Sequence, residues 1–467
     1  MVKFFLLGLV LFFNLSCSVY LSHITSKEDD LSTTINELID KLDSELSIGL
    51  KVISLENNEE LFELNSEKLL LPASNQKLLT SAASLYYLGE NKVFQTSVLK
   101  KNRNIILLAG ADSELSIDKL DSISLKISQK IKNIDTIFVD AGIMDSIPYG
   151  KGWMWDEGSE TYSAPVSGII LNGNCIDFEY SPNELDKPAR LNTYPNTNHI
   201  SITNNSITVE DTLDYKRIKI ERDWQNQTNH YRVDGEILGW SNKDTVKKNI
   251  SDPVMFAGTV FKELFESHNV SVSAVKARKG IHSLDTIAKI ISQPLKIQLK
   301  NIMQNSENLA SEILMKYIGI SDTTIGSWYN GKKKIMRFLY EEVEIDTNFL
   351  RIADGSGLSR YNLLNADQLI KLLRYMYTSN LKDTFIMSLP HGGQKGTKLE
   401  NRLIESGKRI YAKTGSLSGV SCLSGYAFSP QYGPLAFSII INGFTGSIKP
   451  IREIQDKICE SLVHRKK

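Results

Sequence analysis

Three short patterns stand far apart in a fixed order: Ser74-Asn75-Gln76-Lys77, then Ser306-Glu307-Asn308, then Lys413-Thr414-Gly415. If they serve one chemistry, the chain must fold back so that its early and late segments share a cleft. Each pattern alone is weak. Ser116-Ile117-Asp118-Lys119 also reads S-x-x-K, and Ser181-Pro182-Asn183 and Ser267-His268-Asn269 also read S-x-N. Order and local context must separate the set from its decoys.

The context is favourable. Leu31 to Leu46 predicts an amphipathic helix with Ile35, Leu38, Ile39 and Leu42 on one face. Ile48, Leu50 and Val52 alternate with other residues, Asn57-Asn58 signals a turn, and Leu61 to Leu64 returns as a hairpin. Pro72-Ala73-Ser74 then opens a helix closed by Gly89, which puts Ser74 at a helix N-terminus. Near the other end, Lys408 to Lys413, Val420 to Phe428 and Pro434 to Asn442 read as strands, and Pro450 begins a helix with Ile451, Ile454, Ile458 and Leu462 on its apolar face. Between them, short β-rich runs alternate with Asn, Asp and Thr. The expected architecture is α+β: an antiparallel sheet flanked by helices, built from 25–92 and 285–467 and interrupted by a β-rich insertion over 93–284.

At 467 residues the chain is long enough for two or three domains with sizeable cores, and Lys+Arg balance Asp+Glu at 54 each. A neutral balance gives no electrostatic footprint for nucleic acid. Lys3 followed by the apolar run Phe4 to Phe13 predicts an export signal over 1–18, too short to span a bilayer comfortably. Two endings remain open: cleavage after Ser18, or lipidation of Cys17, whose preceding residues match a lipobox imperfectly because Asn14 stands where a large aliphatic is usual. Cys175, Cys422 and Cys459 do not form the even set of a disulfide scaffold and read as small buried hydrophobes, although one pair could be oxidised after export. No metal site or cofactor is indicated.

A serine hydroxyl needs a base to become a nucleophile. Lys77 stands at i+3 from Ser74, on the same helix face, and burial or a second cation such as Lys413 would lower its proton affinity enough to serve. Ser306 can relay a proton and Asn308 can hold a substrate peptide group. Lys413, Thr414 and Ser416 offer charge and hydroxyls to a substrate carboxylate, while Gly415 removes a side chain where substrate would lie along a strand. The backbone N–H groups of Ser74 and Ser416 are the expected oxyanion pair, a device worth on the order of 10²–10³ in rate per donor. Taken singly, Ser74 is an ordinary cap, Lys77 a solvated side chain and Lys413-Thr414-Gly415 a strand end. In this order and context they favour the chemical reading.

These residues resemble the serine-type D-alanyl-D-alanine carboxypeptidases and endopeptidases, low-molecular-mass penicillin-binding proteins with a large insertion after the S-x-x-K helix. Further landmarks of the likeness are Gly152-Trp153-Met154-Trp155-Asp156, Ala164-Pro165-Val166-Ser167, Leu171-Asn172-Gly173-Asn174, Ser292-Gln293-Pro294-Leu295 and Asp354-Gly355-Ser356-Gly357-Leu358-Ser359-Arg360. Gly396-Thr397 ahead of Arg402 belongs with them. The resemblance implies a penicillin-binding/β-lactamase-like fold, a periplasmic peptidoglycan substrate, a Ser74 acyl-enzyme and covalent capture of β-lactams. Glu307 inside S-x-N and Lys398 after Gly396-Thr397 depart from the commoner pattern without removing a catalytic group. Asp354 to Arg360 reads as a structural turn in preference to a cleft wall, Asp156 and Glu157 as a solvated pair in preference to a contact for a stem-peptide amine, and His391 as a loop residue. A β-lactamase or esterase on the same scaffold, and a non-catalytic wall-binding protein, are the alternatives.

Overall fold

The computed structural model describes residues 31–211, 215–280 and 285–463. The expected export signal and Cys17 lie outside the described residues. The described residues form two compact units: one comprises 31–75 together with Leu339–Arg351 and 363–463, the other the described part of Gln76–Phe338 with Ile352–Asn362.

The first unit is organised by a five-stranded antiparallel sheet, in the order Ile410–Leu417, Val420–Ser429, Gly433–Asn442, Ser47–Ser54, Glu60–Leu64. Ser47 pairs with Asn442 and Ser54 with Leu435, so the early hairpin docks on the last strand and early and late segments share one sheet. On one face, Leu50, Val52, Leu423, Phe437, Ile439 and Ile441 pack with Leu31, Ile35 and Leu38 of the helical stretch 31–39 and with Ile451, Ile454, Ile458 and Leu462 of the C-terminal helix Lys449–Val463. That helix has the anticipated apolar face. The first helix ends earlier than its periodicity suggested, since residues 40–42 are already a turn. On the other face lies the helix Ala366–Thr378, capped at both reach and return by Asn365 and Gln368. The Tyr426 hydroxyl donates to its Leu373 carbonyl at 2.8 Å.

The second unit contains another five-stranded sheet, in the order Ser271–Ala277, Asn133–Asp140, Asn104–Leu108, Gln95–Lys101, Asp285–Ile291. Its first three strands are parallel and the last two antiparallel to their neighbours. The insertion is therefore not built from strands alone. Ile117–Ser128 and Pro253–Ser267 are helices packed on this sheet through Leu120, Ile123, Ile127, Phe256, Val260 and Phe261. Parallel neighbours need such crossovers to return the chain. Smaller sheets around Cys175–Ser181 and His230–Asp234 complete the β-rich part. The decoy patterns find ordinary places here: Ser116 caps the first of these helices by accepting from the Lys119 N–H, Ser181 ends a strand, and Ser267 ends the second helix.

Cys175, Cys422 and Cys459 are buried free thiols, as small core residues would be. Burial pushes the Cys175 thiol up to about 12, far from a reactive thiolate. Among the described residues, no helix is long and apolar enough to cross a membrane, and no His, Cys, Asp and Glu cluster is arranged to hold a metal ion.

Candidate active site

Ser74 sits in a 3-10 turn, Ala73–Asn75, that runs straight into the helix Gln76–Leu88. Ala73 has φ +45°, a left-handed backbone that a non-glycine residue adopts only when its surroundings hold it there. Those surroundings are explicit. The Leu71 N–H donates to Asn442 Oδ1 at 2.7 Å while Asn442 Nδ2 donates to the Leu71 carbonyl at 3.2 Å, and Asn75 Nδ2 donates to Ser424 Oγ at 2.7 Å. The turn bearing Ser74 is thus bolted to the central strands of the first sheet.

The edge strand beside it carries the third pattern. Sequence periodicity ended that strand at Lys413, but it continues to Leu417, with Lys413 opposite Ser424 and Gly415 opposite Cys422. The pairing keeps Thr414 and Gly415 extended, and the reversal is left to Gly419 at φ +73°. Gly415 is required here for space: a β-carbon would lie 2.8 Å from the Pro72 carbonyl oxygen and 3.1 Å from the Ser74 amide nitrogen. Lys413 is fully buried, its Nζ donating to the Thr414 carbonyl at 2.9 Å. Thr414 and Ser416 share one face of the strand by its two-residue period, with Ser416 exposed. Arg452, a residue not anticipated, donates from Nη2 to Ser416 Oγ at 3.0 Å.

Lys77 belongs to a helix in which every residue from Gln76 to Leu85 is buried. The run of Leu, Ala, Ser and Thr makes a helix that is apolar or small nearly all round, and such a helix goes to the interior. Gly89, at φ +75°, closes it. Lys77 Nζ donates to Asn308 Oδ1 at 2.7 Å and to the Ser356 carbonyl at 2.8 Å. Burial lowers this lysine to about 8, against the opposing pull of Glu312, Asp354 and Glu307. A lysine so placed can give up its proton near neutral pH.

Asn308 begins the helix Asn308–Ile318, and Ser306 occupies the sharp bend before it at φ +64°, half-buried. The Asn308 amide is oriented at both ends, since Nδ2 donates to the Tyr162 carbonyl at 2.9 Å. That carbonyl lies in the 3-10 turn Thr161–Ser163, downstream of Asp156 and Glu157. Burial and a hydrogen bond to Glu157 hold the Tyr162 phenol up near 12. A cleft of about 620 Å³ opens in this unit beside Thr161, Asn172, Asn301, Glu307 and Leu309.

The segment Asp354 to Arg360 is a turn, as read from its glycines, but it also supplies the carbonyl that seats Lys77. Asp354 Oδ1 accepts from the Gly357 N–H and Asn362 Nδ2, and Oδ2 accepts from the Ser359 N–H and from Trp153 Nε1 at 2.9 Å. Two landmarks distant in sequence, Gly152-Trp153 and Asp354 to Arg360, are therefore parts of one structure. Glu312 was missed as well. It lies one helical turn after Asn308, and an acidic residue among Leu309, Ile313 and Leu314 was the available signal. His391 is a loop residue, its ring set against Tyr411 and its Nδ1 near the Gly392 carbonyl. Arg402 pairs with Asp456 at 2.7 Å and ties the preceding loop to the C-terminal helix.

The profile of the D-Ala-D-Ala carboxypeptidase 3 (S13) family matches residues 31–463. Among curated proteins, the chain is 29% identical over 440 residues to a D-alanyl-D-alanine carboxypeptidase of Actinomadura sp. (strain R39), covering 89% of this chain and 80% of that one. It is 23% identical over 439 residues to the D-alanyl-D-alanine carboxypeptidase DacB of Haemophilus influenzae, covering 89% of each. Among solved structures, penicillin binding protein 4 (dacB) from Haemophilus influenzae superposes with a TM-score of 0.80 at 21% identity, over 92% of this chain and 99% of that one. A predatory peptidoglycan endopeptidase from Bdellovibrio bacteriovorus has the fold at lower similarity, TM-score 0.53 and 12% identity over 90% of this chain and 93% of that one.

Proposed function

Because the chain belongs to the D-Ala-D-Ala carboxypeptidase 3 (S13) family, we propose that it hydrolyses the terminal D-Ala-D-Ala peptide of peptidoglycan stems through an acyl-enzyme on Ser74. The observation that carries the assignment of roles is the seating of Lys77: a buried amine on Asn308 Oδ1 and the Ser356 carbonyl, three residues beyond a serine in a continuous helical stretch. In the proposed reaction neutral Lys77 accepts the Ser74 hydroxyl proton as Oγ bonds to the carbonyl carbon of the penultimate D-alanine. The tetrahedral oxyanion is held by the Ser74 and Ser416 N–H groups. Collapse breaks the peptide bond, and the proton passes to the leaving D-alanine nitrogen through Ser306. Water then repeats the sequence on the ester and frees Ser74. Lys413, Thr414 and Ser416 anchor the terminal carboxylate, Gly415 admits the substrate backbone and Asn308 orients the substrate amide. A β-lactam, whose ring amide mimics the scissile bond, acylates the same oxygen.

We assign the catalytic domain to 25–92 and 285–467 and the insertion to 93–284, on the order of the three patterns along the chain. Export through residues 1–18, with or without a lipid on Cys17, brings the protein to its substrate. A second reading is cleavage of D-alanyl cross-links, the related activity that the family resemblance also includes. The deciding test is covalent labelling of the mature protein by a fluorescent penicillin, expected for the wild type and absent in Ser74→Ala. An unlabelled, folded wild type would overturn the reading. Mass spectrometry of digested muropeptides then separates loss of one D-alanine from loss of cross-links, and rapid penicillin turnover with untouched muropeptides would indicate a β-lactamase instead.

A further inference from the structure

Glu312 is a fully buried carboxylate that the proposed chemistry does not use. Its Oε1 accepts from the Ser356 N–H at 2.7 Å, and its Oε2 from the Gly355 N–H at 2.8 Å and from Trp328 Nε1 at 2.7 Å. The two successive N–H groups it grips, those of Gly355 and Ser356, immediately precede the Ser356 carbonyl that accepts from Lys77 Nζ. Thr80, one turn along the helix from Lys77, donates to the Gly355 carbonyl at 2.7 Å and fixes the same loop from the other side. The burial of an unpaired carboxylate is costly unless it is fully hydrogen-bonded. Between Asn308 and Lys316 on the same helix face, Glu312 spends its oxygens on the loop that seats Lys77.

We propose that Glu312 is a positioning residue for Lys77: it clamps the Gly355–Ser356 backbone so that the Ser356 carbonyl holds the amine, and its negative charge sets how readily that amine releases its proton. The inference rests on the acyl-transfer reading above and deepens it. Glu312 has the right neighbours for the task. Lys77 faces Glu307, Glu312 and Asp354. Glu312 faces Asp354, and Lys316, one turn further along its own helix, is occupied by Asp145 at 2.7 Å and stacks its Nζ over the Trp328 ring at 3.7 Å. Burial and Asp354 push Glu312 up to about 7, against three N–H donors that favour the carboxylate. Both ionisations thus fall in the range where the enzyme would work.

The test is the pH profile of acylation by a fluorescent penicillin in the full mature chain, with folding checked by thermal unfolding. In Glu312→Gln the anion that favours protonated Lys77 is gone, so the ascending limb should move to lower pH by roughly one unit. A limb that stays in place in a folded Glu312→Gln protein would overturn the proposal. Glu312→Asp keeps the charge but is one methylene too short to reach all three donors. Its limb should stay where the wild type's lies while the plateau rate falls at least tenfold, and a wild-type plateau would equally overturn the clamp. Glu312→Asp carries the test by itself if Glu312→Gln does not fold. A wild type that takes no label marks failure of the underlying acyl-transfer reading, whereas labelling that disappears in Ser74→Ala with unmoved Glu312 variants marks failure of this inference alone.

Discussion

Lys77 Nζ lies 2.7 Å from Asn308 Oδ1, which joins the first of the three sequence patterns to the second. The same asparagine turns its Nδ2 to the Tyr162 carbonyl, so its orientation is fixed from both sides. Burial desolvates this amine, and desolvation is what lets a lysine act as a base near neutral pH.

The lysine's lowered proton affinity predicts a pH profile. Below about 8 the amine is mostly protonated, so the acylation rate should fall about tenfold for each pH unit further down and level off above that value. Stopped-flow acylation by a chromogenic cephalosporin from pH 5.5 to 9.5 reads this directly. Lys77→Met should lose at least about a hundredfold in rate, the usual scale of a general base.

Replacing Asn308 by alanine removes an acceptor from a buried amine. Hydrogen bonds to charged groups contribute about 1.5–3 kcal/mol, so acylation should slow by about ten- to a hundredfold while unfolding shifts modestly. Single-turnover labelling of Asn308→Ala against wild type measures it.

Gly415→Ala tests the close approach of the edge strand to the serine turn. The added carbon meets backbone at 2.8 Å and 3.1 Å, on Pro72 and on Ser74 itself, and backbone cannot swing aside as a side chain can. The expected cost is about 1–3 kcal/mol of stability with near-complete loss of labelling. An active, equally stable variant would show that the turn can relax.

Arg452 donates to Ser416 Oγ and leaves that hydroxyl's own hydrogen to point elsewhere. If Ser416 binds the substrate carboxylate, Arg452→Ala should raise KM for a D-Ala-D-Ala peptide about five- to tenfold with little change in kcat, as expected for loss of about 1 kcal/mol of binding. A peptide ending in an amide should show no difference between the two proteins.

Stability should also follow pH through Glu312, whose carboxyl rises from 4.5 to about 7 on folding. Below 4.5 it is neutral in both folded and unfolded chains. Between these values only the unfolded chain ionises, so its contribution is present at low pH and is lost as pH rises through about 7, by roughly 3 kcal/mol. Lys77 acts in the opposite sense higher up, since its lowered affinity makes stability climb between about 8 and 10.5. Urea denaturation at pH 5 and pH 8 should show Glu312→Gln gaining on the wild type at the higher pH.

Much of the fold was legible from period and punctuation. Alternation at Ile48, Leu50 and Val52 marked the first strand, Leu61 to Leu64 and the run Pro434 to Asn442 read as further strands, and the 3.6-residue spacing of Ile451, Ile454, Ile458 and Leu462 marked the last helix. Ile117, Leu120, Ile123 and Ile127 carry a helical period too, but it is short and lies among Asn-, Asp- and Thr-rich runs that read as β-rich. Lys413-Thr414-Gly415 was placed at a strand end because glycine signals a turn, whereas pairing with Ser424 to Cys422 keeps it extended.

For the site, the sequence by itself determined which side chains are available and in what order: Ser74 and Lys77 one turn apart, then Ser306 and Asn308, then Lys413 to Ser416. Those constraints are local, set by helical and strand geometry. Only the tertiary structure decided what surrounds them. Burial of the whole Gln76–Leu85 stretch strips water from Lys77, Ser356 offers it a carbonyl, and Glu312 and Asp354 hold that carbonyl's loop. Proton affinity depends on desolvation and on charges brought close by packing, and no spacing within a sequence encodes either.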